Sequence, residues 1–271
     1  MNFTAHNIRL NNGTQTISGE TLLCDLQICK ALIRTLNIHF KKEERSQIKI
    51  ADLGCLEGGY TAEFARNGYQ AIGFEAREDN IQKCNYVADN LSLPNLKFIK
   101  DDIKNLENYG QFDVVLCSGL LYHLDKPAEY LNLLSRVIKR MLMLNTHYSL
   151  EKDSLYDRPL VSKLERKIKK TFSIEVKTNH KLSKIASNEN LIGRWFSEYP
   201  INAPKSQIEK SLWAAYSNHR SFWPTKKHLL QSILDNGFSI VYEQYDFLEK
   251  ITTDRYTEKL DRSLFICLKD N

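Results

Sequence analysis

The sequence predicts an α/β fold: a seven-stranded, mostly parallel sheet with helices on both faces, an N-terminal helical extension and an insertion before the last two strands. Three observations carry that prediction. From Ile48 onward, short and wholly apolar runs alternate with amphipathic ones, the pattern of strands buried on both faces and joined by crossover helices. The first apolar run ends in an acid and passes straight into a glycine-rich turn, IKIADLGCLEGGY, and the next run ends in a second acid, AIGFEAR. After an interruption the alternation resumes and closes on two strands with no helix of convincing period between them, which predicts an antiparallel pair at the sheet edge.

Taken in order, Leu22–Leu36 repeats apolar residues at three- and four-residue intervals and predicts a helix packed on one face. Strands are predicted at Ile48–Leu53, Ala71–Glu75, Leu96–Lys100, Phe112–Ser118 and Met141–Thr146, with helices near Tyr60–Arg66, Arg77–Asn90 and Pro127–Ile138. Between about Ser149 and Arg220 the chain turns polar and aromatic. A helix at Thr225–Asn236, stopped by Gly237, then leads to strands at Ser239–Phe247 and Ser263–Lys269. The expected organisation is an N-terminal extension (1–45), a ligand-binding core (46–148), an acceptor-side insertion or lid (149–222), and a C-terminal helix with the closing strands (223–271).

A hydrophobic fraction of 42% with 26% charged residues is ordinary for a globular chain and argues against disordered and fibrous classes. No apolar run reaches the roughly 18 residues of a membrane span. The N-terminus also lacks the order of a secretory signal, so a cytoplasmic protein without membrane partners is expected. None of the six cysteines forms a CxxC pair and no His/Asp/Glu group has ligand spacing, so reduced thiols and no metal are expected.

A strand that ends in an acid and runs into glycines lets a ligand lie against bare backbone, and an acid at the next strand end can accept two hydrogen bonds from a ribose diol. Asp52, Gly54, Gly58 and Glu75 therefore predict a nucleoside cofactor. A dinucleotide is disfavoured, because Leu56 stands early in the turn where a pyrophosphate needs close backbone approach.

These residues resemble the class I S-adenosylmethionine-dependent methyltransferases, whose first-strand motif reads D/E-x-G-x-G-x-G; Asp52, Gly54 and Gly58 match it, and Leu56 replaces the middle glycine. The resemblance runs from about Lys49 to Thr146 and more loosely through the final strands. His6 to Thr16 and SFWPTKKHLLQSILDNGF are similar to segments of bacterial methyltransferases of uncertain acceptor. The resemblance implies a Rossmann-like fold and S-adenosyl-L-methionine as cofactor. It assigns cofactor contacts to Asp52, Gly54, Cys55, Gly58, Glu75, Arg77, Asp102, Ile103 and Ser118. Of these, Gly54 and its neighbours would face the methionine part, Glu75 the ribose hydroxyls, and Asp102, with Asp101 as alternate, the adenine amino group. Arg77 and Asn80 line the adenine pocket or form a solvated first turn.

The fourth strand runs into Leu121-Tyr122-His123, beside the reaction centre in that fold. His123 either takes a proton from an acceptor hydroxyl or shapes the pocket without chemistry. On the acceptor side, GRWFSEYP and HRSFWPT supply Arg194, Trp195, Tyr199, His219, Arg220 and Trp223, which with Tyr122 make aromatic walls with cationic tips suited to a planar or anionic small molecule. The expected function is methyl transfer to O or N of a small-molecule acceptor. A tRNA or rRNA acceptor, suggested by the basic run Leu164–Lys170 among other lysines, is the weaker expectation, because charge runs are usually solvated faces. A non-catalytic cofactor-binding protein is the third.

Overall fold

The structure is a computed structural model that describes residues 1–151, 182–245 and 262–269. The basic run Leu164–Lys170 and the last two residues of the strand expected at Ser239–Phe247 lie outside the described residues. The chain divides into two units, one of Met1–Leu121, Tyr130–Thr146 and Ile233–Asn271, the other of Tyr122–Glu129 and His147–Ser232.

In the first unit, helix α1 (Gln27–His39) follows a 3-10 turn at Leu23–Asp25 and buries Cys29, Leu32 and Leu36, the three- and four-residue spacing of one face. Strand β1 (Lys49–Leu53) leads to helix α2 (Gly59–Arg66), β2 (Gln70–Glu75) to helix α3 (Glu78–Leu91), and β3 (Leu96–Lys100) to a 3-10 segment at Ile103–Tyr109. Strand β4 (Phe112–Ser118), helix α4 (Pro127–Val137) and β5 (Ile138–His147) complete the parallel part. The closing strands β9 (Phe238–Tyr245) and β10 (Arg262–Lys269) pair antiparallel. The seven-stranded order is β3-β2-β1-β4-β5-β10-β9, with β1 parallel to both β2 and β4. Chain order therefore reverses at β1, and the carboxyl ends of β1, β2 and β4 flank the crevice where open α/β sheets bind ligands. Ile50, Phe64, Tyr69, Val114, Met141 and Leu264 share one buried cluster with Leu32 and Leu36 of α1, so the core lies beneath the helices that carry this switch point.

The second unit is built on a three-stranded antiparallel sheet, β6 (Leu182–Asn188), β7 (Leu191–Ser197) and β8 (Arg220–Pro224), with the short helix α5 (Lys205–Lys210) between the last two and helix α6 (Lys226–Asp235) after them. The aromatic and polar composition here suggests no strands, because the usual hairpin signal is missing. The β6–β7 turn is made by Glu189 and Asn190, both at positive φ (51° and 65°), in place of an Asn-Gly pair. The Glu189 carboxylate accepts from the backbone N–H groups of Ala128 and Glu129 at 3.0 and 2.8 Å, and so caps the first turn of α4. Among the described residues no helix is long and apolar enough to cross a membrane.

Candidate functional site

In the first unit, the turn after β1 is shaped by residues on the left-handed side of φ: Gly54 at 62°, Leu56 at 50° and Gly58 at 81°. Leu56 thus takes the backbone conformation that a glycine supplies more cheaply, a difference of roughly 1–2 kcal/mol. Its N–H donates to Glu75 Oε2 at 3.0 Å, and its carbonyl accepts from Cys84 Sγ at 3.1 Å. A Cβ on Gly58 would lie 2.5 Å from the Phe98 ring, so that glycine is required by packing from below. Cys55 is buried, and burial pushes its thiol well above the usual range.

The end of β2 carries Glu75, only 3% exposed. The Leu56 amide holds one of its oxygens, and the Arg77 N–H, at 2.8 Å, holds the other. Burial raises its carboxyl above the usual range against the lowering pull of the Arg77 amide and charge. Asn80, on the first turn of α3 and fully buried, sits close enough to Glu75 to favour its ionised form, yet neither polar atom of its side chain finds a hydrogen-bond partner of good geometry among the described residues. At the end of β3, Asp101 accepts from Tyr109, Asn105 and the Asp102 amide, whereas Asp102 Oδ1 accepts from the Lys104 N–H at 3.0 Å. Ile103 is buried, and Ser118, at the end of β4, accepts from Asn145 Nδ2 at 3.3 Å.

Two buried ionisable groups beside α2 titrate in opposite senses. Asp52 accepts from Thr61 Oγ1 at 2.6 Å, but burial outweighs that bond and raises its carboxyl to about 7. His6 accepts from the Gly59 N–H at 3.0 Å through Nδ1; burial lowers it to about 4 against the raising pull of Glu57. Between its folded value of about 4 and its ordinary 6.5, His6 binds a proton only when unfolded, so its contribution to stability grows as pH rises. Between 3.8 and about 7, Asp52 holds a proton only when folded, so its contribution falls as pH rises. Each slope is at most about 1.4 kcal/mol per pH unit, and the two oppose each other from roughly pH 4.5 to 6. Asp52→Asn should therefore tilt the stability profile upward with pH relative to the parent, and His6→Gln should tilt it downward. Urea midpoints measured across that range check both, and a difference profile of the opposite sign contradicts the corresponding assignment.

In the second unit, His123 Nδ1 lies 2.8 Å from Glu198 Oε1. Glu198 is buried and also accepts from Ser221 Oγ at 2.8 Å and the Ala215 N–H at 3.2 Å. In the same unit, Trp223 stacks with both Phe196 and His147, the centroids 4.9 Å apart in each pair, and Tyr122 meets His147 edge-on at 4.7 Å. Trp223 Nε1 donates to the Tyr122 carbonyl at 2.8 Å. Arg220 lies 4.0 Å over the Trp195 ring. The structure thus brings together Tyr122, His123 and Trp223, and separately Trp195 and Arg220. It engages Arg194 with the carbonyls of Leu150 and Ser183, Tyr199 with that of Ala215, and the His219 carbonyl with the amides of Glu198 and Tyr199. Glu198, Phe196 and His147 have no spacing in the sequence that singles them out. The one signal is the acid inside the aromatic cluster GRWFSEYP. Among the described residues no group of three or more His, Cys, Asp or Glu is placed to hold a metal ion.

A family profile described as a methyltransferase domain matches residues 44–211. The ubiquinone biosynthesis O-methyltransferase of Dictyostelium discoideum is 30% identical over 129 residues, 43% of this chain and 39% of that protein. The protein of the same name from Rickettsia bellii is 29% identical over 107 residues, 39% of this chain and 43% of that protein. The matched segment therefore spans about two fifths of these relatives. Among solved structures, the N-terminal domain of EvdMO1 in the presence of SAH and D-fucose aligns with a TM-score of 0.63 at 18% identity, covering 98% of this chain and 90% of that one. The magnesium protoporphyrin IX methyltransferase ChlM of Synechocystis with bound SAH aligns at 0.53 and 14%, covering 90% and 83%. These structural likenesses establish a shared fold.

Proposed function

From the premise that this chain belongs to the methyltransferase domain family, we propose that it transfers the methyl group of S-adenosyl-L-methionine to an oxygen or nitrogen of a small-molecule acceptor. The observation that carries this reading is Glu75: a buried carboxylate at the end of β2, beside the switch point, with each oxygen held by one backbone N–H and a lone pair left on each for a ribose diol. The chain's own donors fit that cofactor. The buried amide of Asn80 offers both a donor and an acceptor next to Glu75. Asp52, raised to about 7 by burial, is a carboxyl that a cationic ligand would help to ionise. Gly54, Leu56 and Gly58 turn the backbone so that the loop between β1 and α2 can lie along the methionine part, with Cys55 and Ser118 at its edges. Asp102 and Ile103 would face the adenine, and Arg77 would close its side.

When bound, the cofactor supplies an electrophilic methyl on a positively charged sulfur. The protein's contribution is mainly to hold the acceptor in line, which is worth about 7 to 11 kcal/mol of the barrier. The small-molecule acceptor is supported by the names of the curated relatives, ubiquinone biosynthesis O-methyltransferases, and by the half-buried rings of Tyr122, His147 and Phe196 in the second unit, which give partly open flat surface for a planar group. The Arg220–Trp195 pair offers a cationic tip for an anionic one. Incubation with methyl-labelled S-adenosylmethionine and separate metabolite and RNA fractions checks the reading. Label is expected in the metabolite fraction, and label confined to RNA overturns the small-molecule acceptor.

A further inference from the structure

We propose that the N-terminus of helix α6, with the hydroxyls of Ser149 and Thr225, forms an oxyanion-binding site in the second unit, and that the acceptor therefore carries a carboxylate or phosphate group. The anionic acceptor rests on the methyl-transfer reading above; the site itself does not.

Thr225 immediately precedes α6 (Lys226–Asp235), and its carbonyl accepts from the Leu229 N–H at 2.9 Å. A threonine in that place ordinarily turns its hydroxyl onto an N–H of the first turn. Here Thr225 is 2% exposed, and its Oγ1 has no hydrogen-bond partner among the described residues. The N–H groups that open the helix, which have no partner within it, are therefore not capped by this hydroxyl. Ser149 is also 2% exposed, and its Oγ is likewise without a partner among the described residues. The two belong together. Ser149 and Thr225 form a parallel bridge, and the Ser149 N–H donates to the Pro224 carbonyl at 2.8 Å, so their side chains stand side by side on one face. The stacking of His147 on Trp223, two residues earlier on each segment, marks the same face. Arg220 and Phe222 alternate to the other face, where they meet Trp195, so this site is separate from the Arg220–Trp195 pair.

The charge near the hydroxyls favours an anion. Helix N-termini usually carry acids, which offset the partial positive charge of their N–H groups. The first turn of α6 has none and begins instead with Lys226 and Lys227. Lys226 Nζ lies 5.6 Å from the ring of Tyr148, one chain neighbour of Ser149, and Arg194 Nε donates to the carbonyl of Leu150, the other neighbour, at 3.2 Å. Lys227 is exposed and Lys226 half-buried, so the helix end is open to solvent although the two hydroxyls are not. A water molecule would pair the hydroxyls without answering that charge. A carboxylate or phosphate does both, because its oxygens accept from the hydroxyls and from first-turn N–H groups, as anions at helix N-termini do.

Calorimetric titration of the full chain with inorganic phosphate, with benzoate and with neutral benzamide, at one ionic strength set by chloride, tests the site. Saturable binding of phosphate, benzoate or both is expected, and the two arms tell a phosphoryl ligand from a carboxylate. Binding of neither anion, or of benzamide as tightly as benzoate, overturns the site. Thr225→Val and Ser149→Ala each remove one hydroxyl and should weaken the bound anion by about tenfold or more. Because neither hydroxyl has a protein partner to lose, the thermal midpoint without anion should hold or rise. Unchanged anion affinity in the folded variants overturns the assignment, and a lowered midpoint beside it gives the hydroxyls a structural role instead. Methyl label passed from S-adenosylmethionine to the metabolite fraction should be retained by an anion exchanger at neutral pH; label confined to unretained material overturns the anionic acceptor. Failure of the parent to bind S-adenosylhomocysteine at all would sink the underlying methyl-transfer reading and leave the phosphate and benzoate titrations to decide the site.

Discussion

Replacing Glu57 by Ala lowers the unfolding free energy by about 3 to 5 kcal/mol, the usual cost of stripping one partner from a buried ion pair. Glu57 sits within the glycine-rich turn with its side chain 1% exposed. Lys83 Nζ donates to it at 2.7 Å, and the amides of Thr4, Ala5 and His6 donate at 2.8, 2.9 and 2.9 Å. Burial alone would raise this carboxyl, but Lys83 and the three amides reverse the effect and hold it below the usual range. The substitution leaves a nearly buried ammonium and three amides without their acceptor. It also frees the segment that brings His6 to the Gly59 N–H at the start of α2. Glu57→Gln, which keeps an acceptor but loses the charge, should fall between the variant and the parent. Urea unfolding at neutral pH measures both, and a loss under about 1 kcal/mol in Glu57→Ala contradicts the clamp.

Replacing Glu75 by Ala weakens S-adenosylmethionine binding by about 1 to 3 kcal/mol, the range for hydrogen bonds to a charged group. That corresponds to a loss of roughly 5- to 150-fold in affinity. The carboxylate is already oriented by Leu56 and Arg77 before any ligand arrives, so little ordering cost would offset the bonds to the ribose proposed for it. Calorimetric titration of the folded variant decides the matter, and unchanged affinity would remove Glu75 from the ribose.

The parallel half of the fold was legible because strands buried on both faces read as continuous apolar runs, and each is punctuated by a turn or an amphipathic helix. Asp52 and Glu75 stood out for the same reason: an acid at the end of an apolar strand has no core role. The three-stranded sheet was not legible, since its hairpin turns on Glu189 and Asn190, and its strands mix exposed and buried residues without clean alternation. Leu56 shows the limit of motif reading. A branched side chain at a glycine position suggests a narrowed turn, yet its backbone takes the left-handed conformation and gives its N–H to Glu75. Arg194 and Tyr199 drew notice as a cation and an aromatic, but residue type cannot reveal that their polar atoms reach backbone carbonyls. The His123–Glu198 contact joins residues 75 positions apart, and only the tertiary fold could supply it.

The thermal midpoint of the full chain, measured with saturating S-adenosylhomocysteine and separately with NAD, bears most directly on the nature of the ligand proposed to lie beside Glu75. A ligand that binds only the folded state at a hundred times its Kd adds about 2.7 kcal/mol of stability, enough to raise the midpoint by several degrees. Such a rise is expected with S-adenosylhomocysteine and none with NAD; a rise with NAD alone would contradict the assignment of this chain as an S-adenosylmethionine-dependent methyltransferase.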